Sequence, residues 1–286
     1  MLQVARLSPK LLGDASDLTA TFLLSHVNPD GGFQNREGAS DLYYTVFGLE
    51  GLRALQREDS MDQTRRFVQR LESGDSLDFV HTACLARCWA NLGSVDTADS
   101  RAVIDRLESH RTPDGGYNPR LGARHGTAYG CFLALGAYQD LGVTPAAPEG
   151  VLRCIDGLRS ADGGYANEPN AAMGLTPSTA AAVTLYRVLG NRPPEPVIEW
   201  LLERRLLDGG FFATSLAPLP DLLSTATALH ALSCGGSDLD SIREPCLDFV
   251  DSLWSNQGGF YGNWSDDVQD CEYTYYGLLA LGHLSL

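Results

Sequence analysis

Six segments of the 286-residue chain place polar side chains one to four positions ahead of a threonine: DLYYT (41–45), DFVHT (78–82), ARHGT (123–127), LTPST (175–179), DLLST (221–225) and DCEYT (270–274). Each threonine opens an apolar run. Asp stands four places before it in four of the six, as Asp41, Asp78, Asp221 and Asp270. Tyr43, Tyr44, His81, Arg124, His125, Glu272 and Tyr273 add further polar or aromatic groups. A carboxylate at the head of a core helix can do three things. It can cap free backbone N–H groups at the positive end of the helix dipole, ligate a metal, or act as a proton donor when burial and a second carboxylate keep it neutral. For Asp41 and Asp78 the capping role is the leading one. For Asp270 and Glu272, side by side in the last segment, the acid role asks for convergence with Asp221 or Asp41, with Glu272 the better donor. Tyr43 and Tyr44 can pack with their hydroxyls reaching the polar end. His81 and His125 are equally readable as structural polar residues.

What must position these groups is an internal repeat. PDGGF (29–33), PDGGY (113–117), ADGGY (161–165), LDGGF (207–211) and NQGGF (256–260) are each followed, ten to fourteen residues on, by one of the threonines. A sixth run from Thr82 lacks the glycine pair but has Gly74 nearby. Ahead of the glycines lie amphipathic stretches such as VIEWLLERRL (197–206) and CLDFVDSLWS (246–255), with apolar residues recurring at three and four. These predict outer helices with one wet face. The runs after the threonines carry few charges and predict buried inner helices. A glycine pair suits the positive-φ turn that ends a helix. The unit is therefore an outer helix, a turn and an inner helix, repeated six times, and such units must stack to bury their apolar surface.

Repeats of DGG[FY] followed by a short loop and an apolar inner helix resemble those of the protein prenyltransferase β-subunits and the squalene/terpene cyclases. The resemblance covers nearly the whole chain. It implies an all-α, single-domain α6/α6 toroid over residues 1–286, with the six polar segments converging at one rim of a central apolar cavity. The turn aromatics Phe33, Tyr117, Tyr165, Phe211 and Phe260 are expected to contribute to that cavity.

The chemistry implied by the resemblance is only partly present. The last repeat is most similar to the Rab geranylgeranyltransferase β-subunit, whose zinc is held by an Asp and a Cys in one repeat and a His in the next. Here those places hold Asp221, Leu223 and Tyr273. A zinc that activates a thiolate needs about three protein ligands and an open position, so no zinc is expected. The family's diphosphate contacts fall on Ser215, Pro218 and Leu175, and its third-repeat arginine on His125, with Arg124 adjacent. Class II terpene cyclases carry Asp-x-Asp-Asp-Thr at an inner-helix start. Aligned on Thr274, Asp270 matches, Glu272 falls on the acid and Tyr273 replaces the last Asp. Tyr43, Phe260 and Tyr275 could then stabilise a carbocation through their faces. An acidic rim of Asp266, Asp267 and Asp270 leaves magnesium open as a cofactor.

Composition narrows the partners. A net charge of −15, with Lys10 the only lysine, repels nucleic acid and anionic membranes. No apolar run is long enough for a transmembrane helix, and no signal peptide is read at the N-terminus. Seven cysteines without a CxxC pair read as reduced core thiols of a cytoplasmic protein. The expectation is an isoprenoid-processing enzyme with a polyprenyl substrate in its cavity, using zinc-free, acid-initiated cyclisation or prenyl transfer. The alternative is a non-catalytic lipid-binding or protein-interaction toroid with a decayed site. No protein partner is readable from the chain.

Overall fold

A computed structural model describes residues 1–57, 61–207 and 209–286, without the side chains of Thr97 and Ala98. Asp208 of the LDGGF turn lies outside the described residues. Two short helices, α1 (Leu2–Ala5) and α2 (Pro9–Leu12), come first. Outer and inner helices then alternate: α3 (Ala15–Ser25), α4 (Leu42–Ala54), α5 (Asp62–Gln69), α6 (Phe79–Leu92), α7 (Thr97–Glu108), α8 (Ala128–Asp140), α9 (Pro148–Gly157), α10 (Thr176–Val188), α11 (Glu195–Leu202), α12 (Leu222–Gly235), α13 (Asp240–Ser252) and α14 (Cys271–Leu284). Before α12, β1 (Phe211–Phe212) pairs antiparallel with β2 (Pro220–Asp221).

The chain divides into two compact units, residues 1–67 with 201–286, and residues 68–200. In the first, α14 packs against α4, α12, α13 and α1. It is buried without interruption from Thr274 to Leu284, as its nearly charge-free sequence requires. In the second, α8 packs against α6 and α10. Six of the seven cysteines are buried, Cys234 is partly exposed, and all are free thiols.

Each turn is built on one plan. The residue before the turn bridges to the aromatic after the glycines, as in Arg159 with Tyr165 and Trp254 with Phe260. The first glycine takes positive φ. At Gly258 φ is +98°, and a Cβ there would lie 2.4 Å from the carbonyl oxygen of Leu18 in α3. Both the backbone conformation and the close approach of the next helix therefore demand glycine. The aromatic N–H is then tied to the inner helix: Phe33 to Thr45 Oγ1 at 3.0 Å, Tyr165 to Thr179 Oγ1 at 2.9 Å and Phe211 to Thr225 Oγ1 at 2.9 Å. This explains the threonine that recurs in the sequence. Its hydroxyl satisfies a buried backbone donor that would otherwise be orphaned.

The third repeat departs from that register. Tyr117 N–H points to Cys131 Sγ at 3.3 Å, and Thr127 is the N-cap of α8, its Oγ1 accepting from Gly130 N at 2.8 Å. Cys131, not Thr127, thus corresponds to Thr45, Thr179 and Thr225. The alignment of ARHGT with the other five segments is corrected by four residues, one helical turn. Arg124 and His125 belong to the loop ahead of the helix, and Tyr129 occupies the place that the sequence alignment gave to His125.

The turn aromatics are a second correction. Phe33, Tyr117, Tyr165, Phe211 and Phe260 are at most 1% exposed. They fill the contact between turn and inner helix: a Cβ on Gly48 would lie 2.1 Å from the Phe33 ring, and one on Gly277 2.7 Å from Phe260. They pack between the turns and the inner helices, and Gly48 and Gly277 are the sockets that receive Phe33 and Phe260.

Candidate functional site

The four aspartates at the inner-helix starts are all N-caps. Asp41 accepts from Tyr43 N and Tyr44 N, Asp78 from His81 N, Asp221 from Ser224 N, and Asp270 from Tyr273 N. Their extended backbone and short side chain suit that position. Capping uses one carboxylate oxygen, so further chemistry depends on what the other oxygen and the neighbouring side chains meet.

The richest answer lies at the starts of α4 and α14. Tyr43 Oη donates to Glu272 Oε1 at 2.6 Å. Burial pushes the Glu272 carboxyl up from the usual carboxylate range to about 7, with the charge of Asp270 adding to the rise, while the Tyr43 hydrogen bond and the Arg36 charge hold it back. Asp270 is 2% exposed, and its second oxygen takes Arg36 Nε at 2.7 Å. Arg36 also reaches Asp266, with Nη2 to Oδ2 at 2.8 Å and Nη1 to Oδ1 at 3.3 Å. Burial would raise Asp266, but the Arg36 contact and the N–H groups of Val268 and Gly262 hold it below the usual range. The hydrogen bond to Asp266, more than any other contact, raises the guanidinium's own affinity for its proton.

Aromatic rings continue this cluster. Tyr43 meets Tyr44 and Phe47 edge-on, with centroids at 5.7 and 4.9 Å, and Phe47 lies 5.8 and 5.5 Å from Tyr275 and Tyr276. The Arg36 guanidinium carbon sits 5.3 Å from the centre of the Tyr273 ring. Burial followed by the carboxylate charges raises both Tyr44 and Tyr273 to about 12. The charges acting on Tyr44 are those of Asp270, Glu272 and Asp41, and Asp221 acts on Tyr273. The sequence candidates Asp41, Tyr43, Tyr44, Asp221, Asp270, Glu272, Tyr273 and Tyr275 therefore share one neighbourhood of the first unit. Phe260 packs apart from these rings, edge-on to Trp254 at 5.1 Å. It lines a separate pocket of about 380 Å³ with Leu11, Leu12, Asp251 and Leu281.

Asp221 is directed inward on its own helix. Ser224 supplies both donors, N to Oδ1 at 2.7 Å and Oγ to Oδ2 at 2.8 Å. Burial still raises its carboxyl above the usual range. The remaining candidates belong to the second unit. His81 Nδ1 pairs with Asp78 Oδ1 at 2.9 Å. His125 Nε2 lies 3.2 Å from Glu168 Oε2, and with Arg120, Arg124 and Asn118 it lines a cleft of about 620 Å³.

Sequence reasoning missed Arg36, Phe47 and Tyr276. Arg36 is the single basic residue between the Phe33 turn and α4, and the loop before α14 carries the acidic pair Asp266 and Asp267. That complementarity is a signal, but nothing in the sequence joins two loops 230 residues apart. The donor set does not fit the family's zinc ion: Leu223 offers no ligand atom, and both oxygens of Asp221 are engaged by Ser224. Of the aspartates considered for magnesium, Asp266 and Asp270 are turned onto Arg36 and Asp267 is exposed. Among the described residues no three His, Cys, Asp or Glu side chains are gathered to hold a metal ion. No described helix is long and apolar enough to cross a membrane.

Comparison with known proteins agrees with this architecture. Solved structures of similar fold include a type II terpene cyclase from Scytonema in complex with its product merosterolic acid A, with 13% identity, 97% of each chain covered and a TM-score of 0.65. Another is the Candida albicans protein geranylgeranyltransferase-I complexed with GGPP, at 16% identity, 94% and 90% coverage and a TM-score of 0.71. A D-mannose isomerase aligns as well, at 11% identity, 97% and 98% coverage and a TM-score of 0.66, so likeness at this level is one of fold and not of chemistry. No curated protein matches the sequence. The family model for the prenyltransferase alpha-alpha toroid domain matches residues 7–84, 72–212 and 189–285. The all-α toroid expected from the repeats is the fold class of this chain, which belongs to the prenyltransferase alpha-alpha toroid domain family.

Proposed function

We propose that this protein is an isoprenoid-processing enzyme that starts its reaction with a proton from Glu272. One observation carries the reading: the Glu272 carboxyl, pushed up by burial to about 7, accepts a hydrogen bond from Tyr43, whose ring begins an aromatic cluster with Phe47, Tyr275 and Tyr276. A general acid works best when its pKa lies near the operating pH. With Tyr43 donating to Oε1, the acidic proton resides on Oε2. The π pair of a terminal C=C bond takes that proton, forming a C–H bond and a tertiary cation. The carboxylate left behind keeps the Tyr43 hydrogen bond, and ring faces favour the cation. Further double bonds attack the cation in turn, and loss of a proton from carbon ends the sequence.

Acid-initiated cyclisation is favoured over prenyl transfer to a thiol because Leu223 and Tyr273 stand where that chemistry keeps its zinc ligands. The substrate class is supported by the relatives of this fold. The Scytonema cyclase is known with geranylgeranyl dihydroxybenzoate as substrate, at 14% identity, 97% coverage of each chain and a TM-score of 0.63, and the Candida transferase with GGPP.

The test is product analysis after incubation with a geranylgeranyl-bearing arene, geranylgeranyl diphosphate, squalene and squalene epoxide. Cyclised product from the wild type, and none from a folded Glu272→Gln variant, is the expected result. Equal turnover in both removes the acid role. Chain binding without turnover in either makes the protein a lipid-binding relative.

A further inference from the structure

The acid proposed above is held by residues from both ends of the chain. Arg36 comes from the loop between the first turn and α4. It grips the last repeat twice, at Asp270, the N-cap of α14, and at Asp266 in the loop before it. Glu272 lies two residues beyond that cap, in the first turn of the helix. Asp270 cannot move without giving up either its cap bond to Tyr273 N at 2.8 Å or its bond to Arg36 Nε at 2.7 Å. The same guanidinium covers the Tyr273 ring at 5.3 Å. A planar fork holding two carboxylates while stacked on an aromatic face is a contact that arginine makes and lysine does not.

Resting on the proton-donor reading, we propose that Arg36 is the positioning residue for Glu272: its bridge to Asp266 and Asp270 sets the first turn of α14, so that the Glu272 carboxyl meets the Tyr43 hydroxyl. Glu272 is acted on by Tyr43 from α4, by Asp270 at the cap of its own helix, and by Arg36 from the loop. Arg36 is the single cation in that set, and its charge holds the Glu272 carboxyl down. Its loss leaves the buried Asp270 charge unpaired beside Glu272, and both changes disfavour the Glu272 carboxylate.

Difference infrared spectroscopy tests this on the whole protein. The protonated-carboxyl band of Glu272 is assigned by its disappearance in Glu272→Gln, and its pH midpoint is then read in wild type, Arg36→Met and Arg36→Lys. The expected result is a band titrating near neutral pH in the wild type, with the midpoint raised by roughly half to one pH unit in Arg36→Met. Arg36→Lys keeps the charge but not the fork, so its midpoint stays near wild type while the band broadens as the Tyr43 contact loosens. An unchanged midpoint in a folded Arg36→Met protein overturns the proposal and leaves the acid reading standing. Should Arg36→Met not fold, an unchanged, narrow band in Arg36→Lys overturns it. A wild-type protein with no Glu272 band above about pH 5 removes the acid reading itself.

Discussion

The Tyr43 hydroxyl donates to Glu272 Oε1 at 2.6 Å and joins side chains 229 residues apart, one in the first turn of α4 and one in the first turn of α14. This bond stabilises the charged form of Glu272 against its burial. Tyr43→Phe removes the donor and keeps the ring. The midpoint for Glu272 ionisation should rise, moving the alkaline limb of any pH–activity profile upward. The proton left on Glu272 becomes harder to give, so the maximal rate should fall, by roughly tenfold. A profile identical to wild type would show that the hydroxyl does not act on the acid.

Glu272 also leaves a mark on stability. Its folded-state value of about 7 lies above the ordinary 4.5. At this site the folded protein therefore holds more proton than the unfolded chain between pH 4.5 and 7, and the contribution of Glu272 to stability falls as pH rises through that window. Glu272→Gln removes the penalty. The variant should match or trail wild type at pH 4 and gain up to about 3 kcal/mol on it by pH 8, as read by denaturant titration.

The opposite trend is expected from a histidine pair. His230 Nδ1 and His283 Nε2 lie 3.0 Å apart between α12 and α14, with Cys234 Sγ 3.7 Å from His230 Nε2. Burial, with a smaller contribution from the N-terminal amine, pushes His230 down to about 3 and His283 down to about 4. Their unfolded counterparts protonate near 6.5, so at these sites the unfolded chain gains protons first, and the pair's contribution to stability falls as pH drops from about 6.5 toward 4. His230→Asn and His283→Gln should each flatten this fall in melting temperature. An equally steep fall in both variants would place the acid sensitivity elsewhere.

Gly258 gives a test of the repeat geometry. An alanine there combines positive φ with a Cβ 2.4 Å from the Leu18 carbonyl, whereas at Gly122, with φ +71°, nothing lies within 4 Å of the added carbon. Gly258→Ala should cost more than about 2 kcal/mol and Gly122→Ala about 1 kcal/mol, measured by thermal or denaturant unfolding. Similar losses at both sites would mean that the strain, not the close approach, sets the cost.

The repeat was legible because glycine pairs, aromatics and threonines are each demanded by one local contact. The third repeat was misaligned for the same reason. Its aromatic-to-threonine spacing is ten residues, against fourteen in three other repeats, and a cysteine sulfur has taken over the threonine's work. Asp270 and Glu272 could be named from the sequence because they flank an inner-helix start. Arg36 could not, since its role comes from two loops meeting, which depends on how the repeats stack and not on any local pattern. The turn aromatics were misplaced because an apolar ring reads alike whether it faces a central cavity or packs between a turn and its inner helix.

In the proposed reaction the first proton is carried by the Glu272 carboxyl, a group that exchanges with solvent. The most direct measurement is mass analysis of the product formed from a geranylgeranyl-bearing substrate in heavy water. One deuterium is expected, at the carbon that starts the sequence, and no product from Glu272→Gln. Product formed at the wild-type rate with no solvent deuterium would contradict it.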